Sequence, residues 1–206
     1  MTKKPQQKRK KPWLWIAGAC IVAAVIIILL LFPRHVPSIG APTLTVETPQ
    51  KVRLSAEKEL TLNVTVSSLG EALYPAMSMS LAFDPSKLEF LGIEEGNLCI
   101  RDEQSSSGKR LPEWSCSVEN SNAKGLINIM YLDMTGGKHA FSKELLREDE
   151  NVVLRLRFRL RGSVNAGDVL ELNVEDAVFA ASDETQSLAV TTGTLKTKNS
   201  RIVIGE

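Results

Sequence analysis

Hydrophobic and polar residues alternate with a period of two along several segments of this chain, a pattern typical of strands with one buried face. The apolar positions that share a face are Leu60, Leu62, Val64 and Val66; Met77, Met79, Leu81 and Phe83; Ile127, Ile129 and Tyr131; and Leu154, Leu156, Phe158 and Leu160. In the last segment an arginine fills each position between these leucines and the phenylalanine. Further strands are predicted at VLELNVEDAVF and RIVI. The pattern therefore predicts an all-β domain.

Turn-forming residues separate the predicted strands. They are Asp84-Pro85-Ser86, Glu95-Gly96-Asn97, Gly136-Gly137 and Asn165-Ala166-Gly167, and their intervals suit a two-sheet β-sandwich. Only residues 142–149 have helical character. No internal repeat of about 20–50 residues is visible, which argues against a solenoid. The expected fold class is a two-sheet β-sandwich.

The N-terminal segment follows a different pattern. Residues 13–32, WLWIAGACIVAAVIIILLLF, contain no charged residue and are long enough to cross a hydrocarbon core of about 30 Å as a helix. Residues 1–12 contain six basic residues and no acidic one, and Lys and Arg are retained on the cytoplasmic side of a membrane. We therefore expect a single-pass protein of the cell membrane, with a cytoplasmic tail (1–12), a transmembrane helix in the lipid bilayer (13–32) and an extracellular C-terminal domain.

A cleaved signal peptide is the alternative, because Ser38-Ile39-Gly40 before Ala41 forms a small-residue cleavage site. The apolar run is longer than the roughly 7–15 residues of a signal peptide's hydrophobic region, which favours the anchor. Residues 33–42 contain three prolines and are interpreted as a tether. Residues 43–206 then have the length of one domain with its own core.

Charge is unevenly distributed along the chain. Of 25 basic residues, six lie in the tail, so the remainder has 19 basic residues against 24 acidic residues, a net charge of about −5. A mildly acidic domain has no general electrostatic attraction for nucleic acid, and no nucleic-acid partner is expected. The basic tail suits orientation in the membrane and contact with anionic lipid headgroups.

The sequence offers little catalytic or metal-binding chemistry. It lacks GxSxG, HExxH and a glycine-rich phosphate loop. His35 and His139 are its two histidines, and neither lies near a cysteine, so no zinc site is expected. Cys99 and Cys116 are the cysteines outside the predicted membrane span. They leave two alternatives open, a disulfide or two half-buried thiols. We expect a noncatalytic binding protein with no cofactor.

Residues 43–206 resemble the cohesin domain, the β-sandwich that receives dockerin modules in cellulosome-type assemblies. The best-matching run is YPAMSMSLAFDPSKLEFLGIEEGNL, in which an alternating strand, an aromatic-Asp-Pro turn, a Leu-Glu strand and an acidic-Gly turn follow one another. GLINIMYLD, NVVLRLRFRLRG and GDVLELNVEDAVFA come next, in family order. The resemblance implies a jelly-roll sandwich of about nine strands, a noncatalytic role, and a dockerin-containing partner to which any calcium belongs.

The resemblance also implies a partner-binding face. Well-studied cohesins present an Asn and an Asp on the strand before the Asp-Pro turn, and Ala76 and Ser78 stand at those positions here. With the next face strand and the outward arginines, which we expect beside it, the predicted partner-binding residues are Ala76, Ser78, Met130, Leu132, Asp133, Arg155, Arg157 and Arg159. A face that is flat, apolar and cationic along successive strands suits protein docking. The alternative is that the arginines only keep an exposed sheet soluble.

Three functional hypotheses follow. The first is a membrane-tethered extracellular cohesin-like module that noncovalently binds a dockerin-bearing protein, in connection with polysaccharide breakdown at the cell surface. The second is a carbohydrate-binding or adhesive β-sandwich. It is the weaker hypothesis because glycan platforms usually present exposed aromatic rings, whereas 5% of the residues are aromatic and Trp114 is the one tryptophan outside the N-terminal span. The third is a structural subunit of an envelope complex.

Overall fold

The computed structural model describes residues 40–54, 58–96, 114–146 and 151–206, and in these ranges strands predominate. The strands are β1 (Thr43–Val46), β2 (Val52–Arg53), β3 (Glu59–Val66), β4 (Ala76–Phe83), β5 (Leu88–Glu95), β6 (Trp114–Ser115), β7 (Leu126–Leu132), β8 (Val152–Leu160), β9 (Val169–Ala180), β10 (Leu188–Ala189), β11 (Lys196–Lys198) and β12 (Ser200–Gly205). One α-helix, α1 (Val118–Lys124), lies between β6 and β7. Lys143–Leu145 and Glu184–Gln186 form short 3₁₀ turns.

The predicted alternation is confirmed on the longer strands. In β4, β7 and β8 each predicted inward residue is buried, while the residues between them are partly or fully exposed. The strands outnumber the expected nine because β2, β6 and β10 are two residues long. Segments of that length are too short to show a period-two pattern.

The strands pair into two sheets. One has the order β11-β1-β3-β8-β5, and the other has the order β2-β12-β9-β4-β7-β6, with β10 paired to β9. Buried side chains from both sheets form one hydrophobic core. The predicted all-β, two-sheet sandwich is therefore confirmed.

Two parallel pairs join the beginning of the described domain to its end. β1 pairs with β11 in the first sheet, with Thr43 opposite Lys196. β2 pairs with β12 in the second sheet, with Val52 opposite Ile204. Each sheet thus contains both an early and a late segment of the chain.

Aromatic rings fill the core beneath β7. Tyr131 packs edge-on against Phe141 with ring centroids 5.2 Å apart, and Phe141 packs against Phe179 of β9 at 5.8 Å. Trp114 of β6 lies 5.6 Å from Tyr131 and 6.0 Å from Phe141. Such edge-to-face and tilted contacts add to the stabilisation from buried area. They fix the inward side of β7, and with it the residues that β7 presents outward.

Helix α1 closes one edge of the sandwich. Ser117 caps its N-terminus by accepting a hydrogen bond from the Asn120 N–H, and Gly125 ends it in the left-handed conformation at φ 67°. The Asn122 side chain accepts from the Phe90 N–H and donates to the Phe90 carbonyl, both at 2.8 Å, and so takes the place of a strand neighbour beside β5. The helix was not predicted from the pattern. The pattern predicts helical character over residues 142–149 instead. In that segment residues 143–145 form a 3₁₀ turn, and residues 147–149 lie outside the described residues.

Asp133 folds the loop that follows β7. Its Oδ1 accepts hydrogen bonds from the N–H and hydroxyl of Thr135 at 2.7 and 2.5 Å, and its Oδ2 accepts from the N–H groups of Gly137 and His139 at 2.8 and 3.2 Å. Burial raises the pKa of the Asp133 carboxyl, but the hydrogen bonds from Thr135, His139 and Gly137 outweigh that effect and hold the pKa below its usual value. The ionised carboxylate is therefore a structural element of the loop.

Within the described part of the chain, no helix is long and apolar enough to cross a membrane. The predicted membrane span, residues 13–32, lies outside the described residues, as does the predicted tail.

Gly125→Ala is expected to lower the free energy of unfolding by about 1–3 kcal/mol, because a non-glycine residue at positive φ is strained. A Cβ at this position would also meet the Phe83 carbonyl oxygen at 2.7 Å and the Pro85 Cδ at 2.8 Å. Urea denaturation measures the loss. The matched control is Gly162→Ala, where a Cβ would meet nothing within 4 Å. Equal stability of the two variants would show that Gly125 is not required at the end of α1.

Asp133→Asn is expected to lower the free energy of unfolding by about 1–3 kcal/mol at pH 7, since the new amide places N–H groups against backbone N–H donors. Because the folded-state pKa of Asp133 is depressed, its stabilising contribution is fully present above the unfolded-state pKa of about 4. It is lost as the pH falls through the lower folded-state pKa. Urea denaturation of both proteins at pH 7 and pH 3 should show the difference between them shrinking at acid pH. A difference independent of pH would contradict this role.

Candidate partner-binding face

The outer side of β4, β7 and β9 presents three rows of residues in register. Ala76 lies between Leu132 and Ala180, Ser78 lies between Met130 and Val178, and Ser80 lies between Asn128 and Asp176. We call the outward residues of β4 and β7 in these rows (Ala76, Ser78, Ser80, Asn128, Met130 and Leu132) the β4–β7 face. Ala76, Ser78, Met130 and Leu132 thus lie on one face, and their role in partner binding stays a prediction.

Large apolar side chains lie exposed at one end of this face. Met130 is 58% exposed and Leu132 is 55% exposed, and Met134, two residues beyond β7, is 83% exposed. Beside Met130 and Leu132 lie the short side chains of Ala76 and Ser78. Contiguous exposed apolar residues are uncommon on a soluble surface and often mark an interaction site.

The middle of the β4–β7 face is polar. The Ser80 hydroxyl donates a hydrogen bond to Asn128 Oδ1 at 2.8 Å. Asp176 of β9 lies on the other side of Ser80, next to an irregularity in the β4–β9 pairing between Ser80 and Leu81. The sequence analysis missed Ser80, Asn128 and Asp176. Alternation alone places them outward, but only the strand order brings them into one row.

Asp133 does not contribute to the β4–β7 face. Its side chain is buried in the loop after β7, where both carboxylate oxygens accept internal hydrogen bonds. Its prediction as a partner-binding residue is corrected accordingly. An aspartate at the end of a strand is equally suited to organising the loop that follows, through hydrogen bonds to backbone N–H groups.

The arginines lie on the other sheet, so the expectation that they lie beside Met130 and Leu132 is wrong. β8 pairs with β3 and β5, whereas β7 pairs with β4 and β6. Arg157 contacts Glu59 at 3.1 Å and Glu94 at 3.2 Å, and Arg159 contacts Glu59 at 2.7 Å and Glu89 at 3.4 Å. Arg155 lies opposite Asn63 and Glu94 in the same sheet.

Carboxylates of β3 and β5 thus neutralise the row of arginines. Hydrogen bonds from Arg159 and then Arg157 lower the pKa of Glu59, and the hydrogen bond to Glu59 raises the pKa of Arg159 above its usual value. These are exposed ion pairs across neighbouring strands, which contribute modestly to stability. The arrangement favours the alternative that the arginines keep an outer sheet surface solvated.

The proposed disulfide between Cys99 and Cys116 stays a prediction, because Cys99 lies outside the described residues. Cys116 is half-buried just before α1, and burial raises the pKa of its thiol. The described residues contain no group of three or more His, Cys, Asp or Glu side chains placed to hold a metal ion.

Several solved cohesins have the same fold. The sixth cohesin of scaffoldin B from Acetivibrio cellulolyticus, in complex with a Cel5 dockerin, matches with a TM-score of 0.56 and 16% identity over 80% of this chain and 99% of the other. The cohesin of the Coh-OlpA–Doc918 complex from Clostridium thermocellum matches with a TM-score of 0.56 and 13% identity over 80% and 99%. A non-cellulosomal cohesin from the archaeon Archaeoglobus fulgidus matches with a TM-score of 0.52 and 12% identity over 81% and 93%.

A comparison with curated proteins finds no match. The family model described as cohesin domain matches residues 43–198. That range covers about three quarters of the 206 residues and nearly all of the sandwich. The chain therefore belongs to the cohesin domain family, whose members are non-enzymatic protein-binding modules.

Proposed function

We propose that this cohesin domain binds a dockerin-bearing protein through the β4–β7 face. The observation that carries the proposal is the exposure of Met130 and Leu132, 58% and 55%, side by side with Ala76 and Ser78 on an outer sheet surface. Two of the cohesins with the same fold are described in complex with dockerins. The fold and the apolar surface together support a docking role.

The energy of such a complex would come mainly from apolar burial. Fully burying a side chain such as Met or Leu contributes about 1.5–3 kcal/mol relative to leaving it exposed. The small neighbours Ala76 and Ser78 leave space for a partner side chain to pack against both. Interfaces concentrate most of their energy in a few well-packed, desolvated residues.

Ala76 and Ser78 stand where well-studied cohesins have an Asn and an Asp. The docking face proposed here therefore depends on apolar contact along β7 more than on hydrogen bonds from β4. Calcium in this proposal belongs to the dockerin, which folds around paired calcium loops of the EF-hand type. Chelation is expected to abolish binding by unfolding the partner.

Carbohydrate binding is the less favoured hypothesis. Trp114 is half-buried and packs against Tyr131 and Phe141. Its ring belongs to the aromatic cluster beneath β7 and is not presented to solvent as a stacking platform. The exposed large apolar residues of the described chain are aliphatic side chains and methionines.

We further propose that residues 13–32 anchor the domain in the cell membrane, with residues 1–12 in the cytoplasm and the sandwich outside. The uncharged apolar run and the wholly basic tail support this topology. A docked partner would then be held at the cell surface. A partner that degrades polysaccharide would connect the module to polysaccharide breakdown.

Met130→Asp is expected to weaken dockerin binding by about 2 kcal/mol or more, because it places a charge in the apolar part of the face. Each dockerin module of the source organism is produced alone and titrated calorimetrically, with calcium, against residues 37–206, which form one compact unit. The strongest binder is then tested against the variant. Since Met130 points outward, the melting temperature should change little.

Two control variants define the face. Val169 is exposed to nearly the same extent, 51%, but lies at the far end of β9 opposite Val203 of β12, so Val169→Asp should leave affinity within about twofold of the original. Arg157→Ala changes the outer surface of the other sheet and should also leave affinity intact. Equal weakening by all three variants, or none by Met130→Asp, would place the site elsewhere. Absence of binding by every dockerin would refute the function.

Protease added to intact cells is expected to remove the sandwich while an epitope fused to the N-terminus stays protected, since the basic tail remains in the cytoplasm. Immunoblotting of the two ends, with lysed cells as the control, distinguishes the topologies. Recovery of the domain free in the medium, beginning near Ala41, would support the cleaved signal peptide instead.

A further inference from the structure

A cleft borders the β4–β7 face on the side of α1. β6 ends at Ser115, after pairing with Tyr131 and Met130, and the chain then turns away into the helix. The position beside the first half of β7 is left open. The resulting cleft has a volume of about 540 Å³, with β4 and β7 on one side and β6 and α1 on the other.

Hydrogen-bond donors that have no acceptor among the described residues line this cleft. Asn128 uses its Oδ1 to accept from Ser80, but its amide N–H groups have no acceptor among the described residues. The hydroxyls of Ser78 and Ser115 make no side-chain hydrogen bond within the same part of the chain, and both residues line the cleft. An amide and hydroxyl groups that face one space can converge on a single acceptor.

A lysine is the charged residue that lines the cleft, and the Asp176 carboxylate lies on the other side of Ser80. Lys124, at the end of α1, lines it, and no aspartate or glutamate is among its lining residues in the described structure. Lys124 also has no ion pair with any described carboxylate, in contrast to the arginines of β8. A lysine at the end of a helix is favourable to the helix dipole, but this role leaves its ammonium donors free.

We propose that this cleft receives an acidic side chain of the docking partner. The proposal rests on the dockerin-binding function and adds a specificity rule to it. The partner presents an apolar group to Met130 and Leu132, and a neighbouring aspartate or glutamate enters the cleft. There its carboxylate accepts hydrogen bonds from Asn128 and Ser115 and pairs with Lys124.

Continuity with the apolar residues supports a shared occupant. Met130 and Ser78 belong to the β4–β7 face and also line the cleft. One partner surface can therefore cover both. Complementary charge placed beside an apolar centre contributes to orientation and to the rate of association as well as to affinity.

The test uses the strongest-binding dockerin from the calorimetric panel, with calcium. Lys124→Met keeps the apolar stem and removes the charge, and it is expected to weaken binding about 5–10-fold; Lys124→Glu is expected to weaken it about 50-fold or more. The matched control is Lys198→Glu, an exposed position on β11 of the other sheet with the same change in net charge. It should stay within about twofold of the original protein.

Charge reversal on the partner identifies the occupant. Each surface aspartate and glutamate of the dockerin is changed to lysine in turn. One of these dockerin variants should bind the Lys124→Glu protein at least tenfold more tightly than the original dockerin does. Melting temperatures separate loss of binding from loss of α1. Affinity within twofold for Lys124→Glu, in a protein for which Met130→Asp still weakens binding, would overturn this inference and leave the proposed function standing. If no dockerin binds the original protein, both the proposed function and this inference are wrong.

Discussion

The packing of Ile127, Ile129 and Tyr131 into the core is the interaction on which the candidate face depends. A slip of one residue in the register of β7 would turn these side chains to solvent and bring Met130 and Leu132 inward. Each large side chain removed from the core would cost about 1.5–3 kcal/mol. The aromatic contacts around Tyr131 add to that cost. The packing of the core therefore keeps Met130 and Leu132 exposed, although burying these two side chains would itself be favourable.

The two outer surfaces of the sandwich use different chemistry. On the sheet that contains β8, arginines alternate with core residues and pair with carboxylates on both neighbouring strands. That surface is internally neutralised and well hydrated, so a partner would have to disrupt existing ion pairs to bind it. On the sheet that contains β7, the exposed apolar groups and the cleft donors that lack an acceptor among the described residues have no ion pairs of this kind to lose. Docking is therefore less costly on the second surface.

How far the sequence predicts this structure depends on the range of each interaction. Alternation is local, and it identified the inward and outward residues of β4, β7 and β8. Sheet membership is nonlocal, and a period-two pattern does not say which strands will be neighbours, so Arg157 was assigned to the wrong surface. Its pairing with Glu59 and Glu94 depends on strand order. Helix α1 has a local signal in its capping residues, Ser117 before it and Gly125 after it. Its seven residues, VENSNAK, show no apolar periodicity, so the hydrophobic pattern does not predict it.

The parallel pairs that join the beginning of the sandwich to its end have a consequence for the order of folding. Neither sheet is complete until Lys196–Lys198 has added to β1 and Ser200–Gly205 has added to β2 and β9. Contacts between residues so distant in sequence form slowly, because a long loop must close before any of them is made. The ribosome has released nearly the whole domain before its sandwich can close. Until then, β1 and β2 lack their parallel partner strands.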